Sequence, residues 1–509
     1  MASPQAAPSA SKRAPCARAS APIEPFNPPN NSCSSFGDLP PCMQQRIFSL
    51  LPTDAADILR ASGVCRAWAA AADDALAAAP RVGFAVAIWG RRSLLSWLSS
   101  LSTVLNKCAR LRDLEVSLAC ALPEPLEPVG IEVLLEGFLR QLATLSVVKT
   151  RLEGFALSLS GDLAQPTRGL DFVLAAAALK RLALTNVVIP AHGLNLRRTD
   201  RCAASLGALA LTGVEIAADD LCALVAYLRG LEVLELCGTG AADLHVASEG
   251  LRVLRVSNHA VGVLDLKTPK LEDLRVEKGR ANMGFTLCTE GKSKIRRLSI
   301  TLQGLGYLRI FGELREVEAV TLSANCWDWT GNIASVLQNS PRLLHLALEA
   351  ARDTPPDYPD IGNMLARMTT AAEPLDLFSF PGRFPRLVSL TLPLGMTEQM
   401  VLGARVSGDQ SPQFAALESL EVAIWQPSAA HLRWLEGLVE AAPRLKRVAI
   451  AIVAKWDKAL LHFSLRQCSA KACIEYLDDT GENLYTFFHG LCALQKRSPG
   501  VDIAWEKIE

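Results

Sequence analysis

Several signatures of common protein classes are missing from this 509-residue sequence. Its 14 cysteines form no CxxC pair, so their spacing indicates no zinc site, and they are too sparse for a disulfide scaffold. No run of about 18 apolar residues occurs, and we therefore expect no membrane span. Basic and acidic residues balance at 52 each, so we expect no general attraction to nucleic acid or to an anionic membrane.

Catalytic motifs are missing as well. None of the seven histidines lies in an HExxH motif, and the sequence has neither a Walker loop nor a GxGxxG motif after a strand. The sequence therefore predicts no catalytic residue, no metal ligand, no cofactor and no enzyme activity. The cysteines are interpreted as reduced, mostly buried apolar residues of a protein of the cytoplasm, the nucleus or both.

A folded protein is nevertheless indicated, because 50% of the residues are hydrophobic and 20% are charged. Residues 1–35 are rich in Pro, Ser, Ala and Asn and are predicted to be a disordered tail. Between Phe36 and Pro80, apolar residues recur at helical spacing, and Pro52 and Gly63 divide the segment into three short helices. So small a unit usually needs a partner surface or a neighbouring domain to be stable.

The strongest pattern is a short LxxLxL-type string that recurs along most of the chain. Its copies begin at Leu152, Leu179, Leu206, Leu231, Leu251, Leu271, Ile295, Val317, Leu343, Leu387, Leu417 and Leu445. Most starts are about 20 to 30 residues apart, the period of leucine-rich repeats. One short strand cannot bury its apolar face alone, whereas stacked strands merge their leucines into one core. Amphipathic helices partly suit the same spacing, but copies flanked by Gly, Pro or Asn favour strands.

The segments between these strings have helical patterns, notably Ala218–Arg229, Gly331–Asn339 and Ala429–Ala441. Strands that alternate with helices predict a β/α horseshoe or a flatter arc. The wide gap between Leu343 and Leu387 predicts an insertion near 351–385. The pattern fades beyond Val453, and residues 455–509 are predicted to cap the open end of the core.

The segment from Phe36 to Leu76 resembles the F-box. The resemblance depends on Leu39-Pro40, on Ile47-Phe48 with Leu50-Leu51, and on the ending Val64-Cys65-Arg66 with Trp68. Cys42 stands where an acidic residue is common in that motif, and Met43 stands in place of a leucine. The remainder is similar to the repeat region of plant F-box/LRR proteins, in units such as LKRLALTNVVI and in Pro-x-Leu entries such as SPRLLHLAL. An asparagine ladder is not evident, because Gly213 and Gly238 match the position of Asn186.

The resemblance implies an α/β protein in which a three-helix F-box module precedes a β/α leucine-rich-repeat solenoid with a C-terminal cap. The implied boundaries are a tail at 1–35, an F-box at 36–80, a linker with first repeats at 81–150, a solenoid at 151–454 and a cap at 455–509. It also implies a role as the substrate-recognition subunit of a Skp/cullin/F-box ubiquitin ligase, with no chemistry of its own. The F-box would bind a Skp-family adaptor, and through it a cullin, while the repeats would bind a target protein.

The residues implied at the adaptor interface are apolar, as interface hot spots often are. They are Leu39, Pro40, Ile47, Leu51, Leu59, Val64, Cys65 and Trp68. Several of them would equally serve as the core of three small helices. Two other functions stay open: a repeat scaffold that never joins a ligase, and a receptor that senses a small ligand in a pocket of the solenoid.

Residues between the leucines of a strand project from the opposite face of the sheet. In the early strands they are small, whereas in the middle strands they are charged. The charged candidates for target binding are Glu235, Arg255, Asp273, Arg275, Glu277 and Arg297. They form either a recognition stripe or a set of solvent-facing cross-strand ion pairs. Four tryptophans form a second candidate patch, with core or cap packing as the alternative: Trp327, Trp329, Trp425 and Trp434.

Overall fold

The LxxLxL-type strings lead into parallel β-strands, as the sequence predicts. The computed structural model describes residues 66–88, 101–120, 135–144, 151–160, 174–189, 204–257, 261–278, 285–327, 340–349, 384–392, 397, 414–453 and 480–508, with short gaps inside some of these ranges. The described chain has a mixed α/β structure in which stacked parallel strands form a solenoid-like fold.

Nineteen strands and four longer helices are described. The helices are α1 (Arg66–Ala78), α2 (Ala218–Tyr227), α3 (Ala429–Ala441) and α4 (Thr480–Arg497). The first ten strands are β1 (Arg81–Ile88), β2 (Asp113–Cys120), β3 (Gly154–Ser160), β4 (Arg181–Thr185), β5 (Ala208–Thr212), β6 (Val233–Cys237), β7 (Asp243–Ala247), β8 (Val253–Ser257), β9 (Val263–Lys267) and β10 (Asp273–Lys278). The others are β11 (Phe285–Lys292), β12 (Arg297–Gly306), β13 (Leu308–Glu313), β14 (Ala319–Trp327), β15 (His345–Glu349), β16 (Ser389–Leu392), β17 (Ser419–Ile424), β18 (Arg447–Val453) and β19 (Asp502–Ile508).

Fifteen strands form one sheet in the order β1-β2-β3-β4-β5-β6-β8-β10-β12-β14-β15-β16-β17-β18-β19. Each new repeat therefore adds its strand beside that of the repeat before it. The leucines keep the same register from strand to strand: Leu209 pairs with Leu234, and Leu234 pairs with Leu254. All three are at most 1% exposed, so the repeats share one continuous core. Burying such a side chain contributes about 1.5–3 kcal/mol.

The other side of the solenoid differs along the chain. Two of the predicted helices are confirmed: α2 lies between β5 and β6, and α3 lies between β17 and β18. In the centre, strands β7, β9, β11 and β13 take the place of helices and form a second parallel sheet in the order β13-β11-β9-β7. The apolar side chains on its inward face, such as Leu264 and Phe285, are fully buried in the same core. The helix predicted at 331–339 lies outside the described residues.

The turn after each of the strands β4, β5 and β6 has the same left-handed backbone. Asn186, Gly213 and Gly238 have φ values of 55°, 60° and 65°. The N–H of each donates to the last carbonyl of the neighbouring strand, as Gly213 does to Cys237 at 2.6 Å. These three positions align in the sequence because each requires a left-handed backbone. Glycine adopts that backbone without strain, and asparagine tolerates it.

The prediction that the cysteines are mostly buried is wrong for those whose side chains are described. Cys108 is buried, Cys222 and Cys288 are partly exposed, and Cys237 and Cys492 are exposed; all five are free thiols. Burial raises the pKa of the Cys108 thiol to about 11. Cys237 and Cys288 lie on strands β6 and β11, and Cys222 and Cys492 lie on helices α2 and α4. Strands and amphipathic helices both present some residues to solvent, so the small size of a cysteine does not imply a core position.

Candidate functional site

The inner surface of the large sheet, opposite the leucine side, is the candidate target-binding surface. In β3, β4 and β5 it presents small residues, with Ala156, Ala183 and Ala210 side by side in register. None of these side chains is longer than a methyl group, so a partner would meet a smooth surface close to the backbone. The small side chains that the sequence predicted for the early strands lie on this surface.

The six charged candidates lie on the same surface in β6, β8, β10 and β12. Arg255 Nη1 lies 2.6 Å from Glu235 Oε1, and Arg297 Nη2 lies 3.2 Å from Asp273 Oδ2. Each pair joins residues that face each other in register on adjacent strands. Four of the six candidates thus form the cross-strand ion pairs that the structural alternative anticipates.

Arg275 and Glu277 differ from these four. Both are exposed on β10, and among the residues that the structure describes neither has an ion-pair partner. Arg275 lies between Arg255 on β8 and Ser299 on β12. A guanidinium group and a carboxylate on one strand, two residues apart, are therefore available to a partner that carries complementary charges.

The amino-terminal end of the sheet is closed by α1. Ala71, Ala72 and Leu76 on this helix are at most 7% exposed and belong to the core that the repeats share. Lys107 Nζ and Asp73 Oδ1 form an ion pair at 2.7 Å that fastens the helix to the next segment. Two residues, Ala79 and Pro80, separate α1 from β1. The helix is therefore an integral part of the first repeats.

The predicted adaptor-binding residues relate to α1 in two ways. Trp68 lies within this helix. The others lie outside the described residues: Leu39, Pro40, Ile47, Leu51, Leu59, Val64 and Cys65. The predicted tail at 1–35 and residues 351–383 of the predicted insertion also lie outside them.

Comparison with protein families bears on this end of the chain. Residues 36–78 match the family described as F-box-like. The match supports an F-box protein and includes α1 at its carboxyl-terminal end. A search of curated proteins found no match to the chain.

Other predicted features are placed as follows. Trp434 is 4% exposed within α3, so for this tryptophan the core alternative is correct. Trp327 ends β14, while Trp329 and Trp425 lie outside the described residues. Within the described ranges, no three His, Cys, Asp or Glu side chains are grouped to hold a metal ion. None of the helices described is both long and apolar enough to cross a membrane.

Proposed function

We propose that this chain is the substrate-recognition subunit of a Skp/cullin/F-box ubiquitin ligase. Residues 36–78 bind a Skp-family adaptor, which links to a cullin, and the leucine-rich-repeat solenoid binds the target protein. The observation that supports this proposal most directly is the F-box-like match in a chain whose described residues build a long, exposed sheet surface. The chain itself performs no chemistry in this role.

The junction at α1 gives this proposal a physical basis. A ligase subunit must hold its target at a fixed position relative to the conjugating machinery, because proximity and orientation determine the rate of transfer. The helix that ends the F-box-like match also buries Leu76 in the solenoid core. Movement of α1 relative to the solenoid would have to break that core, so in this proposal α1 is the fixed link between adaptor binding and the solenoid.

The target-binding surface in this proposal is the inner face of β6–β12, with Arg275 and Glu277 at its centre. Their charges are not consumed by ion pairs among the described residues, so a partner does not have to displace an existing contact. A partner that offers an acidic and a basic side chain with matching spacing would satisfy both.

Adaptor binding is tested by co-purification of the full chain with a Skp-family adaptor. The variant Leu39→Ala/Pro40→Ala removes two predicted apolar anchors that precede α1, and we expect affinity to fall at least about 30-fold, as for loss of a hot spot. Phe311→Ala is the matched control, because it also removes apolar surface, from a side chain 57% exposed on β13. It should leave adaptor binding unchanged.

The alternative function is a leucine-rich-repeat scaffold that does not join a ligase, with its F-box-like helices serving as an amino-terminal cap. The burial of α1 in the shared core is what favours this alternative. If the wild-type chain fails to bind the adaptor while it still captures a partner through its sheet surface, the scaffold function is correct and the ligase function is not.

A further inference from the structure

A groove opens on the rim of the solenoid where strands β1 to β5 begin. Its volume is about 920 Å³. The groove is lined by Ala78 at the end of α1 and by Pro80. The turns and strand starts of the next four repeats, from Arg110 to Ser205, line the rest of it. This rim is a different surface from the inner sheet face. The LxxLxL pattern does not predict the groove, because the residues that line the groove precede the strands.

The charged side chains of the groove are mostly basic. Arg110, Arg112, Arg151 and Lys180 line it, against the single acidic residue Glu153. Lys180 Nζ lies 3.1 Å from Glu153 Oε2, so the carboxylate is neutralised. In a chain whose formal net charge is zero, three positive charges in excess around one groove are a marked local concentration.

Two arginines of the groove, Arg110 and Arg112, are available for binding. Arg151 donates a hydrogen bond to the carbonyl of Ala109, which fixes its guanidinium group beside the turn. Arg110 and Arg112 are exposed, and within the described part of the chain no side-chain partner is found for either. Their donors are therefore free to bind an anionic group in forked geometry.

The backbone of the rim offers few competing contacts. The carbonyl of Arg112 accepts hydrogen bonds from the N–H groups of Glu153 and Gly154, at 2.7 and 2.9 Å. The carbonyls of Glu153 and Lys180 each accept two such bonds in the same way. Since these acceptors are already satisfied, a ligand in the groove meets the basic side chains.

Charged residues occupy the equivalent rim positions along the rest of the solenoid. From β6 to β14 the residue immediately before each strand of the large sheet alternates in sign, as Arg112, Glu153 and Lys180 do in the groove: Glu232, Arg252, Glu272, Arg296 and Glu318. Arg252 Nη1 and Glu272 Oε1 lie 4.0 Å apart, as expected for mutually compensating neighbours. Basic residues also recur at the position of Arg110, as in Arg386 and Arg444, so what distinguishes the first repeats is that four basic side chains line one groove.

We propose that this groove binds a short acidic segment of a partner protein. Five strand starts at about 4.8 Å spacing span roughly 19 Å, the length of about six extended residues. Carboxylates along such a segment would meet Arg110, Arg112 and Arg151, while Lys180 stays paired with Glu153. Single-stranded nucleic acid fits less well, because no aromatic side chain lines the groove to stack on bases. This binding goes beyond the proposed ligase function and does not depend on it.

The test is fluorescence anisotropy of a fluorescein-labelled hexaglutamate peptide with the full-length chain. We expect saturable binding that weakens as salt rises from about 50 to 300 mM, because exposed charges are screened. Arg110→Glu/Arg112→Glu should weaken binding about tenfold, since two charges that attract the peptide are replaced by two that repel it. Arg110→Lys/Arg112→Lys should retain most of the affinity.

The control is Arg386→Glu/Arg444→Glu, which makes the same charge change at exposed arginines in the turns before β16 and β18. Arg386 and Arg444 occupy the position of Arg110 in their own repeats.

Equal weakening in both variants would mean nonspecific attraction and would overturn the proposal, as would the absence of hexaglutamate binding. Tighter binding of a labelled six-nucleotide oligothymidine would overturn it in favour of nucleic acid. Circular dichroism melting of each variant confirms that it is folded. None of these results depends on adaptor binding, so failure here leaves the ligase proposal intact.

Discussion

Repeats near the ends of the solenoid and repeats at its centre share one inner sheet but differ in their outer layer. From Ala208 in β5 to Val233 in β6 the chain takes 25 residues and includes helix α2. From Val233 to Val253, and again to Asp273, it takes 20 residues and returns through a strand, β7 or β9. The two 20-residue repeats leave little room for a three-turn helix between two strands of the large sheet. Length is not the whole reason, because the 24-residue step from Asp273 to Arg297 also returns through a strand, β11.

The outer layer in turn affects the shape of the solenoid. Strands stack about 4.8 Å apart, whereas packed helices need about 8–10 Å between their axes. A helix on the outer side therefore forces the repeats to fan out, and an outer strand does not. We expect the central repeats to be straighter than the helix-backed ones, so that the charged inner surface around Arg275 is also the flattest.

The largest expected effect tests whether the outer sheet is a true layer of the core. Phe285 on β11 is fully buried, whereas Phe311 on the adjacent strand β13 is 57% exposed. Phe285→Ala should lower the free energy of unfolding by about 3–5 kcal/mol, because it leaves a cavity between two sheets. Phe311→Ala should change it by less than about 0.5 kcal/mol. Urea denaturation followed by circular dichroism measures both, and similar losses would contradict the description of β11 as a core strand.

The sequence predicts the inner sheet well and the outer sheet poorly, for a physical reason. Each LxxLxL string puts three apolar residues into the core. Because the string recurs many times, it identifies the strands of the large sheet from Leu152 to Leu445. The outer strands bury only alternate residues over about five positions, as Leu244 and Val246 do in β7. So short an alternation is a weak signal for a strand. The 20-residue spacing between successive LxxLxL strings is more informative, because it leaves little room for a helix between them.

The same reasoning applies to the candidate site. Strand alternation predicts that Glu235, Arg255 and Arg275 share one face, and they do. It does not predict which charges pair, because pairing depends on register between strands 20 or more residues apart. The basic groove escapes prediction for a similar reason: Arg112, Arg151 and Lys180 come together only after three turns are stacked.

An intermediate effect is expected at the turns that lead into the two kinds of outer layer. Gly213, before α2, has φ +60°, and a Cβ there would lie 2.3 Å from Asn186 Oδ1. That side chain cannot easily move away, because Asn186 Nδ2 donates to the Leu159 carbonyl at 2.9 Å. Gly240, before β7, has φ +68° but open space around it.

Gly213→Ala should therefore cost more than Gly240→Ala. The left-handed backbone costs an alanine about 1–2 kcal/mol at either position, and only Gly213→Ala adds a clash. Thermal melting of the two variants measures the difference, with the larger fall in Tm expected for Gly213→Ala. Equal falls would mean that the Asn186 contact is not maintained in solution.

The smallest effect concerns the ion pairs of the central inner surface. The side chains of Arg255 and Glu235 are 52% and 41% exposed, so water screens their attraction. A double-mutant cycle with Arg255→Ala and Glu235→Ala should give a coupling energy of about 0.2–1 kcal/mol that falls as salt rises. Arg275→Ala, which removes no ion pair known among the described residues, should leave stability nearly unchanged. A coupling energy above about 2 kcal/mol would instead mean that the Glu235–Arg255 pair stabilises the fold substantially.

A weak coupling means that these charges contribute little to holding the repeats together. Any larger loss that Arg275→Ala causes in target binding would then report on recognition at this surface rather than on the fold beneath it.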